Sequence, residues 1–165
     1  MVLEGMLIAV EELVTAYGLS GAFVIAVLES FIFPIPTAVI IAPATTFGVD
    51  PFLITIVATI GSVLGAVIGY GLGKYLGRPV AGRLFKKKLQ GVEKWFDKYG
   101  AWAVLIAAFT PIPFKVFTWA SGIFELDMKK FLVASLIGRF VQFAIAAYVG
   151  SLFGPILLSW FGIAL

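Results

Sequence analysis

Phe33-Pro34-Ile35-Pro36 interrupts a long apolar stretch that runs from Gly18 to Phe47. Two prolines two residues apart do not fit inside one continuous helix, because each lacks a backbone N–H and restricts the residue before it. The two halves, 19–33 and 37–47, are each shorter than the roughly 20 residues that a full membrane crossing needs. We therefore predict a re-entrant helical hairpin here. A single kinked spanning helix is the alternative, since membrane helices tolerate proline.

The same pattern returns further along the chain, at an offset of 77 residues. Thr110-Pro111-Ile112-Pro113 interrupts a second apolar stretch, and Pro111 and Pro113 match Pro34 and Pro36. If each unit holds one hairpin and one crossing helix, successive units enter the membrane from opposite sides. We predict an all-α membrane protein built as an inverted repeat of a re-entrant hairpin plus a transmembrane helix. The same offset relates Asp50 to Asp127, Gly61 to Gly138, Gly73 to Gly150 and Gly77 to Gly154.

Two other apolar segments, 52–73 and 131–150, have the length of transmembrane helices. In the first of them a glycine recurs at every fourth position, which places these glycines on nearly one face of a helix. Such a face lets a second helix approach closely. We therefore predict helix packing at Gly61, Gly65, Gly69 and Gly73.

Three flanking segments complete the predicted domain. Residues 2–17 have the pattern of an amphipathic helix that is too short and too acidic to span, so we expect it at the membrane interface. Residues 78–99 carry seven of the 12 lysines and arginines on an amphipathic pattern, which the positive-inside rule places on the cytoplasmic side. A short apolar tail is broken at Pro155. The parts of one membrane domain are then 1–17 (interfacial helix), 18–77 (first repeat), 78–99 (basic cytoplasmic amphipathic helix), 100–154 (second repeat) and 155–165 (C-terminal tail).

Composition excludes a soluble domain and several kinds of chemistry. Hydrophobic residues make up 61% of the 165 residues and charged residues 13%, about half of the usual charged share. The chain has no cysteine and no histidine, which excludes disulfides, the usual zinc ligands and Ser-His or Cys-His catalytic pairs. We expect a multi-pass protein of the cell inner membrane that is not an enzyme. We also expect no metal, no cofactor and no nucleic-acid partner.

Three ionisable residues fall at membrane depth, where charges are costly and usually functional: Glu29, Lys115 and Arg139. Gln142 extends a polar strip along the predicted helix of Arg139. One interpretation is a structural ion pair between Glu29 and either Lys115 or Arg139. The other is a substrate-binding or coupling site formed by all four residues.

The prolines support the second interpretation. Pro36 and Pro113 fall where a helix could restart, near the first helical position that favours proline. A helix N-terminus carries partial positive charge and free N–H groups, so it binds anions. Together with Lys115 and Arg139, two such N-termini favour a phosphate or a carboxylate. Candidate hydroxyl donors are Thr37, Thr110 and Thr118.

These motifs resemble the DedA family, also called the VTT or SNARE-associated Golgi domain, and in detail its YqaA-type branch. The resemblance covers residues 18–154 and implies facing re-entrant hairpins, translocation of undecaprenyl phosphate or other phospholipids, and an essential membrane acid at Glu29. The chain departs from the family at Thr37-Ala38, where a second acid is frequent, and at Ala108, where an arginine is frequent. The motifs that carry the resemblance are Glu29-Ser-Phe-Ile-Phe-Pro34-Ile-Pro36, Phe109-Thr-Pro-Ile-Pro-Phe-Lys115, Gly122 and Gly138-Arg139-Phe140.

The sequence thus favours a flippase or scramblase of phosphate-bearing lipids, proton-coupled or passive. A proton-coupled transporter of a small solute or drug is the alternative, and a non-transporting membrane assembly factor is a third. The expected partners are membrane lipids with an anionic phosphate headgroup. A homodimer is a further expectation, since a chain this small could need a second copy to enclose a pathway.

Overall fold

The computed structural model describes the backbone of residues 2–32, 36–110 and 113–160, and every regular element in these ranges is a helix. The all-α class predicted from the sequence is therefore confirmed for this part of the chain. The helices are α1 (Val2–Phe31), α2 (Ala38–Thr46), α3 (Pro51–Tyr99), α4 (Ala101–Phe109), α5 (Phe114–Ile123) and α6 (Met128–Trp160).

Among the residues that the structure describes, two helices are long and apolar enough to cross a membrane. Pro51–Gly77, within α3, has 27 residues and a mean hydropathy of 2.3, and Met128–Ile156, within α6, has 29 residues and a mean hydropathy of 1.8. These two segments contain both of the predicted spans. The predicted break at Pro155 is wrong, because α6 continues through that proline to Trp160. Proline costs a membrane helix one internal hydrogen bond, which neighbouring groups can replace.

Glycines with positive φ mark three of the predicted segment boundaries, at Gly18, Gly77 and Gly100. Gly18, with φ of 42° and ψ of −126°, divides α1 into an N-terminal part and the apolar part that leads to Glu29. Gly77, with φ of 65°, ends the membrane-length part of α3, and the basic segment 78–99 continues as helix beyond it. Residues with a side chain rarely adopt this left-handed conformation.

The chain leaves the helical conformation at both proline motifs. α1 ends at Phe31 and α2 begins at Ala38, while α4 ends at Phe109 and α5 begins at Phe114. Pro34 and Pro111 lie outside the described residues. Pro36 directly precedes the N-cap residue Thr37, and Pro113 is itself the N-cap of α5. Pro36 therefore lies two positions, and Pro113 one position, before the first residue of its helix, close to the first helical position predicted for them.

The offset of 77 residues reappears in helix caps. Asp50 caps α3, where its carboxylate accepts from the backbone N–H of Leu53 at 2.7 Å. Asp127 precedes α6 and accepts in the same way from Lys130 at 3.0 Å. An N-cap carboxylate satisfies one of the free N–H groups of the first turn. Both membrane-length helices thus begin with the same device at matching positions.

The offset also relates packing contacts between different helices. A side chain at Gly73 would collide with the carbonyl of Trp119 in α5, and one at Gly150 would collide with the backbone of Ala42 in α2. Adding 77 to Gly73 and subtracting 77 from Trp119 gives the second pair. The α3–α5 contact therefore has its counterpart in the α6–α2 contact. Entry of the two units from opposite membrane faces stays a prediction.

The glycine face of α3 lies against two different helices. Gly61 meets the backbone of Phe23 in α1, and Gly69 meets Thr118 in α5. Any Cβ at these positions would push the neighbouring helix away, so α3 holds α1 and α5 at close range. The remaining members of the face are Gly65, against Val27, and Gly73, against Trp119.

The buried side chains of the described residues form two apolar clusters. The first lies among α3, α4, α5 and α6 and includes Phe114 and Phe131. The second lies among α1, α2, α3 and α6 and includes Ile54 and Phe143. Arg139, described next, contacts one aromatic ring from each cluster.

Candidate functional site

Arg139 and Glu29 form a buried ion pair. Nη2 of Arg139 lies 2.5 Å from Oε2 of Glu29, and the relative exposures of the two side chains are 2% and 12%. Arg139 comes from α6 and Glu29 from the last turn of α1. Removing one partner of such a pair would leave an uncompensated charge inside the protein.

Hydrogen bonds hold the edges of the Arg139 guanidinium, and two aromatic rings pack against it. Its Nε donates to the hydroxyl of Ser62 at 2.6 Å, and its Nη1 donates to Oε1 of Gln142 at 2.8 Å. The guanidinium carbon lies 4.9 Å from the ring centroid of Phe114 and 4.5 Å from that of Phe143. Each ring belongs to a different apolar cluster. Since only a flat, forked cation fits both the edge and the face contacts, the site is specific for arginine.

Glu29 also connects the two helices on either side of the first proline motif. Its Oε2 accepts from the backbone N–H of Thr37 at 3.1 Å and from the hydroxyl of the same residue. Thr37 is the N-cap residue of α2. The anion expected at this helix N-terminus is therefore bound there, and it is the protein's own carboxylate.

A chain of hydroxyl groups provides a second link between Arg139 and α1. Ser62 and Ser30 are both fully buried, and their hydroxyl oxygens lie 2.7 Å apart. The Ser30 hydroxyl donates to the carbonyl of Ala26 at 2.9 Å, which uses its only proton. Ser62 must then donate to Ser30, and Arg139 donates to Ser62. Arg139 is thus joined to α1 in two ways, through the side chain of Glu29 and, by way of the two serines, through the backbone carbonyl of Ala26.

Side chains of α5 cap the C-terminal end of α1. The last carbonyls of a helix have no partner within it. Nζ of Lys115 donates to the carbonyl of Ile32 at 3.2 Å, and Nε1 of Trp119 donates to that of Phe31 at 3.1 Å. The hydroxyl of Thr118 lies 3.0 Å from the carbonyl of Ser30. The ammonium of Lys115 also offsets the partial negative charge of the helix end.

The structure thus brings together three of the four predicted site residues. Glu29, Arg139 and Gln142 share one network, while Lys115 lies beside it on a backbone carbonyl. The Thr110 hydroxyl bonds within its own helix, to Ile106. Among the side chains described, no group of three acidic residues forms a potential metal site.

Sequence reasoning missed Ser62, Ser30 and Trp119. One signal for Ser62 was present, because it stands 77 positions before Arg139 in the register of the proline motifs. Ser30 and Trp119 carry no comparable signal. A serine and a tryptophan in apolar helices are common, and only the tertiary contacts distinguish these two.

Comparison with known proteins agrees with this arrangement of motifs. The VTT domain model matches residues 33–152. An uncharacterized protein of Methanocaldococcus jannaschii is 33% identical over 132 residues, which cover 79% of this chain and 82% of that relative.

Two further relatives carry more informative names. The uncharacterized membrane protein YbfM of Bacillus subtilis is 29% identical over 89% of this chain and 97% of its own length. Undecaprenyl phosphate transporter A of Staphylococcus aureus is 29% identical over 78% of this chain and 70% of its own length. No solved structure matches. Because the domain model spans most of the chain, including both proline motifs and Arg139, the protein belongs to the VTT domain family, which is the DedA family.

Proposed function

We propose that this protein moves a phosphate-bearing lipid across the membrane, with Arg139 as the group that binds the phosphate. The observation that carries the proposal is the buried pair of Arg139 with Glu29. Arg139 stands eleven residues after the start of α6, which is about 16 Å along the helix. That is roughly half of a ~30 Å hydrocarbon core. An arginine at this depth marks a substrate or ion pathway more often than a structural element.

Phosphate and carboxylate compete for the same donors. The guanidinium fork binds either oxyanion through paired N–H groups, so a lipid phosphate can replace the carboxylate of Glu29 at Nη2. Gln142 and Ser62 hold the other two nitrogens and keep the fork in place during the exchange. The site needs no new cation to accept its substrate.

The displaced carboxylate provides a means of coupling. Once phosphate occupies Arg139, Glu29 has lost its counter-ion in a low-dielectric setting and takes up a proton. The anionic lipid then moves together with a proton, and less uncompensated charge crosses the bilayer. Glu29 is suited to this exchange because its side chain keeps 12% exposure, whereas Arg139 keeps 2%.

The proposed architecture is an inverted repeat in which both proline motifs turn inside the membrane. Support comes from the caps of α3 and α6 and from the paired glycine contacts, all related by 77 residues. The chain has no cysteine, so Ile35→Cys and Ile112→Cys can be joined by a short bismaleimide. Cross-linking between two turns near mid-membrane is expected. Failure to cross-link, while neighbouring pairs in α3 and α5 do so, would count against facing hairpins.

A lipid-flipping assay tests the transport proposal. Purified protein is reconstituted in vesicles with headgroup-labelled phospholipid or polyprenyl phosphate, and outer-leaflet label is destroyed chemically over a pH series. We expect protein-dependent flipping of phosphate lipids that Arg139→Gln removes. A protein that moves neither lipid but moves a small solute is the alternative transporter, and one that moves nothing is the assembly factor. Identifying the lipid that co-purifies with the protein separates the lipid transporter from the solute transporter and the assembly factor.

The name of one relative supports the lipid class. The Staphylococcus aureus protein is called an undecaprenyl phosphate transporter, and its match covers most of both chains. We propose the same class of substrate here, together with an inner-membrane location and a cytoplasmic position for the basic segment 78–99. A homodimer remains part of this proposal, since a single copy has few helices with which to enclose a lipid.

A further inference from the structure

An apolar groove runs along the outside of the molecule between α4 and α6. It has a volume of about 370 Å³, which lies within the range of roughly 300–1,000 Å³ typical of ligand sites. Val133 and Ile137 in its floor are half-exposed, and Trp102 at one end is 68% exposed. The groove is separate from the Arg139 site, whose arginine faces the interior. Its lining residues are Ala101, Trp102, Leu105, Lys129, Lys130, Val133, Ala134 and Ile137.

The two lysines give the groove a charged end. Lys129 and Lys130 belong to the first turn of α6, and their methylene stems contribute to walls that are apolar throughout. A lysine in this position extends its stem along apolar surface and keeps its ammonium in water. From Lys130 to Ile137 the floor extends seven residues, about 10 Å along α6. The groove is therefore long and apolar with cations at one mouth, which is the complement of an anionic amphiphile.

Neighbouring groups place this mouth at a membrane surface. Trp102 and Tyr99 stand beside it, and such aromatic residues are enriched at the level of the lipid headgroups. Asp127 is occupied as the cap of α6, where it accepts from the backbone N–H of Lys130. Asp127 and Glu125 precede the groove and do not line it. The lining contributes positive charge only.

We propose that this α4–α6 groove binds an anionic phospholipid of the surrounding bilayer. The phosphate lies on Lys129 and Lys130, and one acyl chain lies along Trp102, Val133 and Ile137. The proposal does not depend on transport, because the groove opens outward and contains no residue of the Arg139 network. Its occupant is a resident lipid that holds α4 against α6.

The first repeat provides an internal comparison. Subtracting 77 from the two lysines gives Phe52 and Leu53, which are half-exposed in the first turn of α3. The corresponding surface of the first repeat is thus apolar where the second is cationic. Selectivity for anionic lipid is therefore expected at the α6 end alone, although both repeats share the helix framework.

Fluorescence quenching tests the proposal, since Trp102 lines the groove. The intact protein is placed in nanodiscs of unlabelled phosphatidylcholine. In one series an increasing fraction of this lipid is replaced by phosphatidylglycerol with one brominated acyl chain, and in a second series by phosphatidylcholine with one brominated acyl chain. The signal of Trp102 is the difference between the parent protein and Trp102→Phe. Half-maximal quenching should need about five-fold less brominated phosphatidylglycerol than phosphatidylcholine if one lysine binds the headgroup, and about thirty-fold less if both do.

Two double variants separate the groove from general charge attraction. Lys129→Gln/Lys130→Gln should make the two quenching curves coincide. Lys94→Gln/Lys98→Gln removes the same charge from lysines outside the groove and should leave the curves apart. Coincident curves in the parent protein would overturn the proposal, as would a separation that survives the loss of Lys129 and Lys130. Stronger relief of quenching by unbrominated polyprenyl phosphate than by phosphatidylglycerol would reassign the groove to the transported lipid.

Discussion

Glu29 and Arg139 are 110 positions apart in the chain, and their side chains meet at 2.5 Å between Oε2 and Nη2. The same oxygen accepts from the backbone N–H of Thr37, at the start of the helix that follows the first break. One carboxylate oxygen therefore joins α1, α2 and α6. A change in its charge alters the attachment of three helices at once.

Replacing Glu29 by Gln tests proton coupling. Glutamine has nearly the same shape and still accepts from Thr37, but it does not titrate between pH 5 and 9. We expect the variant to fold and to lose the pH dependence of lipid flipping, measured in vesicles across that range. Glu125→Gln, which changes an exposed carboxylate outside the site, is the control and should keep the parent profile. If Glu29→Gln moves lipid with an unchanged profile, Glu29 is half of a structural ion pair and the coupling scheme fails.

Arg139→Lys keeps the charge and removes the fork. Lysine cannot contact Ser62, Gln142 and Glu29 together while lying between two aromatic rings, so at least one charge-assisted hydrogen bond is lost. We expect lipid flipping to fall about 10- to 100-fold, which corresponds to one such bond. The measurement is initial flipping rate per reconstituted protein. The opposite exchange at an exposed site outside both the Arg139 network and the groove, Lys94→Arg, should change the rate less than two-fold. Equal rates for Arg139→Lys and the parent would show that charge alone suffices.

Two buried serines allow a matched test of the hydroxyl chain. Ser62→Ala removes the acceptor of Nε in Arg139 and should lower the free energy of unfolding by about 1–3 kcal/mol, the cost of an unpaired buried donor. Ser135 is equally buried, but its hydroxyl has no hydrogen-bond partner among the described residues. Ser135→Ala should therefore be neutral or slightly stabilising. Thermal unfolding in detergent measures both, and equal losses would contradict the assignment.

Lys115 should tolerate arginine better than alanine. Arginine keeps a donor for the carbonyl of Ile32 and a positive charge at the end of α1, whereas alanine removes both. We expect Lys115→Arg to keep more than half of the flipping rate and Lys115→Ala to lose roughly five- to ten-fold, as for a loss of about 1 kcal/mol or slightly more. Trp119→Phe, which removes the donor to the carbonyl of Phe31, should lower the thermal stability of the protein. Indistinguishable rates for both Lys115 variants would exclude the capping role.

Orientation is testable by labelling a chain that lacks cysteine. Lys87→Cys lies in the basic segment, which the positive-inside rule assigns to the cytoplasm. An impermeant maleimide should label it in permeabilised cells and not in intact cells. Asp50→Cys, at the start of α3, should be labelled in intact cells as well as in permeabilised cells if Pro51–Gly77 crosses the membrane. Labelling of Lys87→Cys from outside intact cells would refute the assignment.

Much of the framework was predictable, because its signals are local. The helix breaks follow from what proline does to its own backbone, and both occur beside Pro36 and Pro113 as expected. The matched caps follow from one aspartate in front of each long helix. The helix through Pro155 was not predicted, since whether a proline ends a helix depends on what replaces the lost hydrogen bond.

The sequence narrowed the partner of Glu29 to two cations but did not distinguish between them. Lys115 and Arg139 were equal candidates for Glu29, and nothing in the spacing distinguishes them. Which cation pairs with Glu29 depends on the position of the free carbonyls at the end of α1, because one of them accepts a hydrogen bond from the ammonium of Lys115. It also depends on two aromatic rings, Phe114 and Phe143, which come together only when the apolar clusters form. Both are properties of the packed molecule.

The contact between Ser62 and Arg139 has a consequence for how such a protein could arise by gene duplication. The two residues occupy the same position in the two repeats and touch each other at 2.6 Å. In an ancestor with two identical halves this position would face its own copy. Two arginines there would bring like charges together inside the membrane, and two serines would leave no cation to pair with Glu29 or to bind the proposed lipid phosphate. A functional centre at this point therefore requires the halves to diverge, with serine kept in one and arginine acquired in the other.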